Sequence, residues 1–377
     1  MFFSPALHRE RLSRGTSWRA LTAVIGVVTA TALLSACSNS DEPTGAEGTT
    51  ASPAAPEEIT TLRLGYFPNF THAPALVGIQ EGFFKDALAE QELTVTPTIF
   101  NAGPDAVTAL FAGSLDISYI GPNPTVNAYV ESQGDAVRVI SGAASGGAAL
   151  VVSPDISSPE DLNGKTLATP QLGNTQDVAF RYWLKDQGLG AAEDGGEVNI
   201  APQSNSEGLT AFASGQVDGA WVPEPWVSSY EAQGAKVLVD EAELWPDGKF
   251  VTTNVIVRTE FLEQYPEVVE AFLKGHVQAM DLIEENPDQA KQDVNDNLQA
   301  LTGSPIDTEI LDEAWSNVEF TVDPLPATLA ESAAHAVDVG LLDQGLIDEA
   351  GGSFDALYDL SLLNKVLKQD GQKPVSS

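Results

Sequence analysis

ALFAGSLDISYIGPNP (109–124) and AFASGQVDGAWVPEPW (211–226) repeat one pattern at a spacing of 102 residues. Each begins with a helix-like stretch that stops at a glycine, Gly113 or Gly215, and continues through an aspartate, Asp116 or Asp218. A short apolar strand carrying an aromatic follows (Tyr119 or Trp221), then a turn marked by proline. Glycine suits a helix stop because it adopts the left-handed conformation there without a Cβ clash. Recurrence of helix stop, turn and strand in the same order indicates two similar lobes. Ligands of open α/β sheets sit beyond the carboxyl ends of the strands. The strand ends at Gly121 and Pro223 are therefore expected to face a shared cleft.

Outward from these segments, short apolar runs read as strands at 62–67, 94–100, 137–141, 149–153, 166–170, 198–201 and 237–239. Stretches 73–84 and 104–112 read as helices, the second with Pro104 in its first turn. Alternation of this kind predicts an α/β fold with mostly parallel sheets. After Arg258 the strand pattern stops and helical periodicity takes over, beginning with 261–283.

Bulk properties narrow the class. A chain of 377 residues exceeds one small core, and 43% apolar residues suit a globular protein. The formal charge of −36 repels phosphate backbones, so no nucleic acid is expected as a partner. One cysteine, Cys37, permits neither an intramolecular disulfide nor a cysteine metal cluster. It follows a leader with Arg9, Arg11, Arg14 and Arg19, an apolar run over 20–34, and Leu34-Ser35-Ala36. That order is a secretory signal, and the run is shorter than the roughly 20 residues a spanning helix needs. Leu34 to Cys37 resembles a bacterial lipobox, which makes 1–36 a signal peptide and Cys37 the lipidation site. Residues 37–59 then read as a flexible tether, too poor in large apolar side chains to offset the entropy of ordering. The protein is expected to be exported and held at the outer face of the cytoplasmic membrane by this lipid anchor.

Four segments carry a resemblance that covers most of the chain. LRLGYFPNFTHAPALVGIQEGFF (62–84), FNAGPDAVTALFAGSLDISYIGPNPTVNAYV (100–130), ATPQLGNTQDVAFRYWL (168–184) and DGAWVPEPW (218–226) resemble the solute-binding lipoproteins of the sulfonate, taurine, nitrate and bicarbonate ABC importers. The resemblance implies the type II periplasmic-binding-protein fold, with two lobes joined by two crossings. Lobe I would hold 60–147 and 252–377, and lobe II 148–251. It further implies a monomer that captures a small anionic or zwitterionic solute and delivers it to permease subunits. A thiamine-precursor-like pyrimidine is the alternative ligand. The fold also includes enzymes, among them a desulfinase with a nucleophilic cysteine. Here the only cysteine is Cys37, the expected lipidation site, and no HExxH, GxSxG or GxxxxGK[ST] is present, so no catalysis, cofactor or metal is expected.

Four strand-to-helix turns are expected to reach the cleft: 68–72, 121–124, 171–176 and 221–226. Helix N-termini bind anions without a cation because their first N–H groups are free. Asn69, Thr71, Asn123, Asn174, Thr175 and Gln176 would add donors, and N-capping is the competing role for the same residue types. His72 is a donor or a structural histidine; Ser145 and Gly146 serve the ligand or the hinge; Trp221 stacks on a ligand or fills a core. Glu224 would repel an anion, and so faces the rim, pairs with Arg181, or holds a ligand amine.

Overall fold

The computed structural model describes residues 59–302 and 305–377. The leader, Cys37 and the tether up to residue 58 lie outside the described residues. The strands are, in chain order, β1 (Thr61–Tyr66), β2 (Thr94–Ile99), β3 (Ile117–Ile120), β4 (Val137–Gly146), β5 (Ala148–Val152) and β6 (Thr166–Thr169). They continue with β7 (Asn199–Pro202), β8 (Gly219–Pro223), β9 (Lys236–Asp240), β10 (Val251–Arg258) and β11 (Val318–Phe320). They form two sheets, ordered β11-β4-β10-β3-β1-β2 and β7-β6-β8-β5-β9. The chain passes from the first sheet to the second at Gly147 and returns between Asp240 and Val251.

Most strands of each sheet share one direction, as expected, and a minority run against it. Strand β1 pairs parallel with β2 and β3, and β6 pairs parallel with β7 and β8. The strands beside the two chain crossings run the other way: β10 is antiparallel to β3 and β4, and β5 is antiparallel to β8 and β9. A strand also occurs after Arg258, where none was expected; β11 pairs antiparallel with β4. The stretch read as one helix over 261–283 is two, Thr259–Gln264 and Pro266–Glu285. Pro266 lacks the N–H that would continue the first helix, and it suits the first turn of the next. Likewise 73–84 divides into Ala73–Gln80 and Phe83–Leu88 around Gly82, whose φ is +79°.

Side chains alternate between two faces along each strand, and here both faces are apolar. In β10, Val255 and Val257 enter one core with Leu64, Phe84 and Phe272, while Val251 and Ile256 enter another with Tyr129 and Leu329. In β5, Leu150 and Val152 pack with Phe180 and Trp221, and Ala149 and Val151 with Tyr230. Burying each large apolar side chain contributes about 1.5–3 kcal/mol, so each sheet is held from both sides.

The repeated aspartates have a shared task. The Asp116 carboxylate accepts from the Arg63 backbone N–H at 2.9 Å, and Asp218 accepts from that of Thr166 at 2.9 Å. In return the Asp116 N–H donates to the Arg63 carbonyl at 3.0 Å, and the Asp218 N–H to that of Thr166 at 2.7 Å. Each aspartate thus fixes the entry of β3 or β8 beside its parallel neighbour. The preceding glycines have φ of +65° and +72°, so a side chain at either would strain the helix stop. The helices before them, Gly103–Phe111 and Asn205–Ala213, also match at a spacing of 102.

Candidate functional site

The carboxyl ends of β1, β2 and β3 meet those of β6, β7 and β8 around one small cavity. From the first sheet come Asn69, Thr71 and His72 after β1, Gly103 after β2, Gly121 after β3, and Thr252 in β10. From the second come Asn174, Thr175 and Gln176 after β6, Asn205 after β7, and Pro223 closing β8. No lining residue is Lys, Arg, Asp or Glu. The cavity volume is about 20 Å³. One water needs roughly 10–15 Å³ by this measure, so an organic solute requires the walls to part.

Direct bonds hold the two walls together. The Phe70 N–H donates to the Glu224 carbonyl at 3.0 Å, and Trp226 Nε1 donates to Asn69 Oδ1 at 2.9 Å. Asn101 Nδ2 donates to the Pro170 carbonyl at 3.3 Å. A Cβ on Gly121 would stand 2.4 Å from Thr175 Oγ1 on the opposite wall. Only glycine therefore permits this approach, although the φ of −74° at Gly121 would suit any residue.

The donors are mostly side chains rather than helix ends. At the helix Thr175–Asp186, Asn174 Oδ1 accepts from the Gln176 and Asp177 N–H groups at 3.0 and 3.3 Å. Asn174 is thus both a cap and part of the wall, and the cap occupies two of the N–H groups expected to meet an anion. The helix Pro122–Glu131 begins with prolines at 122 and 124, which remove two more. Thr175 Oγ1 and Asn205 Oδ1 are buried without a partner among the described residues, a costly arrangement unless something else pairs with them. His72 is 2% exposed, and its Nδ1 accepts from the Phe67 N–H at 3.2 Å. The neutral ring then carries its proton on Nε2, a further donor. Burial lowers the His72 pKa to about 3, which keeps the ring neutral at ordinary pH.

Five expected residues stand elsewhere. Asn123 donates to the Ser332 carbonyl at 2.9 Å and ties two helices together. Ser145 Oγ accepts from the Phe250 N–H at 3.3 Å, and the Gly146 carbonyl accepts from Thr252 Oγ1 at 2.6 Å. Both belong to the β4–β10 crossing rather than the cavity wall. Trp221 is fully buried against Phe180 and Trp183, with Nε1 donating to Glu241 at 2.7 Å. It is a core tryptophan, because its position in β8 turns it onto a sheet face rather than the strand end. Glu224 is also fully buried, accepting from Asn317 Nδ2 at 2.7 Å and from the Ser228 N–H at 3.1 Å. Burial raises its pKa to about 7 against the opposing pull of those bonds. It does not pair with Arg181, which binds Asp177 at 2.9 Å and Glu193 at 2.8 Å. Sequence reasoning missed Asn101, Asn205 and Thr252. Asn205 carried a signal, since it stands 102 residues after Gly103, and both open a helix at the cavity.

Residues 55–295 match the NMT1-like family. The chain belongs to that family. Among its relatives, the taurine-binding periplasmic protein of Escherichia coli is 33% identical over 57% of this chain and 66% of its own length. The aligned part thus spans just under two thirds of that relative. A putative aliphatic sulfonates-binding protein of Bacillus subtilis is 27% identical over 70% of this chain and 75% of its own. Among solved structures, the alkanesulfonate-binding protein SsuA of Xanthomonas axonopodis pv. citri, bound to MOPS, superposes with a TM-score of 0.64. It is 21% identical and aligned over 78% of this chain and 98% of its own. The nitrate-binding protein NrtA of Synechocystis gives 0.67 at 15% identity, over 84% of this chain and 90% of its own. These superpositions show the periplasmic-binding-protein fold, as the resemblance implied. In this NMT1-like chain, no helix among the described residues is long and apolar enough to cross a membrane.

Proposed function

We propose that the protein is an extracytoplasmic solute-binding component of an ABC importer, taking a small anionic or zwitterionic solute into the cavity between its sheets. The observation that carries this reading is the uncharged wall, in which the buried Thr175 Oγ1 and Asn205 Oδ1 lack partners among the described residues. Thr71, Thr175, Gln176 and His72 Nε2 supply donors for sulfonate, nitrate or bicarbonate oxygens, and Asn205 Oδ1 supplies an acceptor for an ammonium group. An acceptor facing donors suits an aminoalkanesulfonate such as taurine best, in keeping with the ligand named for the Escherichia coli relative. The pyrimidine alternative rested on Glu224 reaching the ligand; its carboxylate is instead occupied by Asn317 and Ser228.

The lobes would comprise 60–147 with 252–377, and 148–251, turning about the two crossings as the walls part. Gly146 and Gly147 at the first crossing, with φ of +77° and +70°, support a hinge there. In this reading the protein is not an enzyme, in keeping with the Escherichia coli and Bacillus subtilis relatives, both named as binding proteins. It works as a monomer with permease subunits, anchored outside the cytoplasmic membrane through Cys37. Calorimetry with taurine, ethanesulfonate, nitrate and bicarbonate tests the central part. Saturable binding of one of the four supports it, and no binding by any of them rejects it. Release of a Cys37→Ser variant from the membrane fraction tests the anchor, and unchanged retention rejects it.

A further inference from the structure

A second cavity, about 210 Å³ in volume, lies away from the first. Its walls are the helix Thr175–Asp186, the turn after β9, and the helix Pro326–Asp338. Three aromatic side chains face it: Tyr182, Trp183 and Trp245. The His335 ring fixes two of them in place, stacking on Tyr182 at a centroid distance of 3.6 Å and standing 5.4 Å from Trp245. The titratable acids of the wall are Glu241, Asp186 and Glu331, and no Lys or Arg is among the lining residues. Glu241 is 2% exposed and forms no ion pair among the described residues. Its Oε2 accepts from the Trp221 indole N–H at 2.7 Å, and the Trp245 side chain also hydrogen-bonds the carboxylate; both partners are neutral.

A carboxylate so deeply buried ordinarily has a cationic partner. Aromatic faces carry negative potential and attract cations, most strongly when desolvated. A buried acid and three aromatic walls around a chamber of this size suit a bulky, weakly hydrated cation better than a small hydrated one. From this arrangement we infer that the second cavity is a binding site for an organic ammonium cation, with Glu241 as counter-ion and Tyr182, Trp183 and Trp245 as its aromatic wall. The site is separate from the solute cavity, so it stands whether or not that cavity takes a sulfonate.

Choline is the probe, with 3,3-dimethylbutan-1-ol as its uncharged counterpart of the same shape. Titration of the purified protein, followed by calorimetry and by tryptophan fluorescence at constant ionic strength, should show saturable choline binding at least tenfold tighter than that of the alcohol. Glu241→Gln keeps an acceptor for Trp221 and should weaken choline at least tenfold. Asp186 is exposed, so Asp186→Asn cannot disturb the core and should weaken choline a few-fold. If Glu241→Gln fails to fold, the choline-to-alcohol ratio and Asp186→Asn decide together. Equal affinity for choline and the alcohol overturns the inference. So does unchanged choline binding in Glu241→Gln, or, where that variant does not fold, in Asp186→Asn.

Discussion

Replacing Glu224 with Gln isolates the energetic cost of a buried carboxylate at the junction of the two walls. Its ordinary value is 4.5, and burial raises it to about 7 in the folded chain. Between those values the folded chain keeps a proton that the unfolded chain has lost, so stability falls as pH rises through the window. Integrating that difference from pH 5 to pH 8 gives a loss of about 2.5 kcal/mol from this one group. Gln has nearly the same shape and does not titrate. It meets Asn317 and Ser228 with one acceptor fewer, a cost that is the same at every pH. The assay is urea unfolding of both proteins, free of solute, across pH 5–8. Other titrating groups are common to both chains and cancel, including Glu241, which burial also raises to about 7. The variant should gain about 2.5 kcal/mol relative to the parent between the two ends. Parallel stability curves would refute the reasoning.

Thr175→Ala combined with Gln176→Ala should weaken binding of an anionic solute by about 1.5–3 kcal/mol for each lost bond to charge, read by calorimetry; unchanged affinity would misplace the site. Gly121→Ala should leave the unfolding midpoint near that of the parent and lower solute affinity more than about tenfold, roughly 1.4 kcal/mol, because its Cβ would meet Thr175 Oγ1 as the walls close. Equal affinity would show that the walls need not come this close. His72 and His276, lowered by burial to about 3 and about 4, should show no proton NMR titration between pH 5.5 and 7.5. A midpoint near 6.5 for either would contradict its burial.

The paired segments at 109–124 and 211–226 made the fold legible, because glycine, aspartate and strand each have a local cause. The glycines need positive φ, and the aspartates bond backbone groups of the neighbouring strand. Strand direction had no such signature. Strand β10 is buried on both faces, as a parallel strand is, and its reversal follows from the chain crossing back between sheets. Within the candidate site, the turns following a strand end bring Asn69, Thr71, His72, Asn174, Thr175 and Gln176 to one cavity. Residues one step away stand outside it. Trp221 lies on a sheet face, Asn123 reaches Ser332, and Glu224 reaches Asn317; each depends on a partner distant in sequence. Asn317 lies in a region where sequence analysis named no site residue, so nothing local to Glu224 could have announced that bond.

The claim that a small solute sits between the two sheets on uncharged groups is tested most directly by a crystal structure of the protein with the solute that calorimetry selects. The account predicts the anionic oxygens within hydrogen-bonding distance of Thr175 Oγ1 and His72 Nε2, with any ammonium group toward Asn205 Oδ1. A solute bound outside this cavity, or held in it chiefly by Lys or Arg, would contradict it.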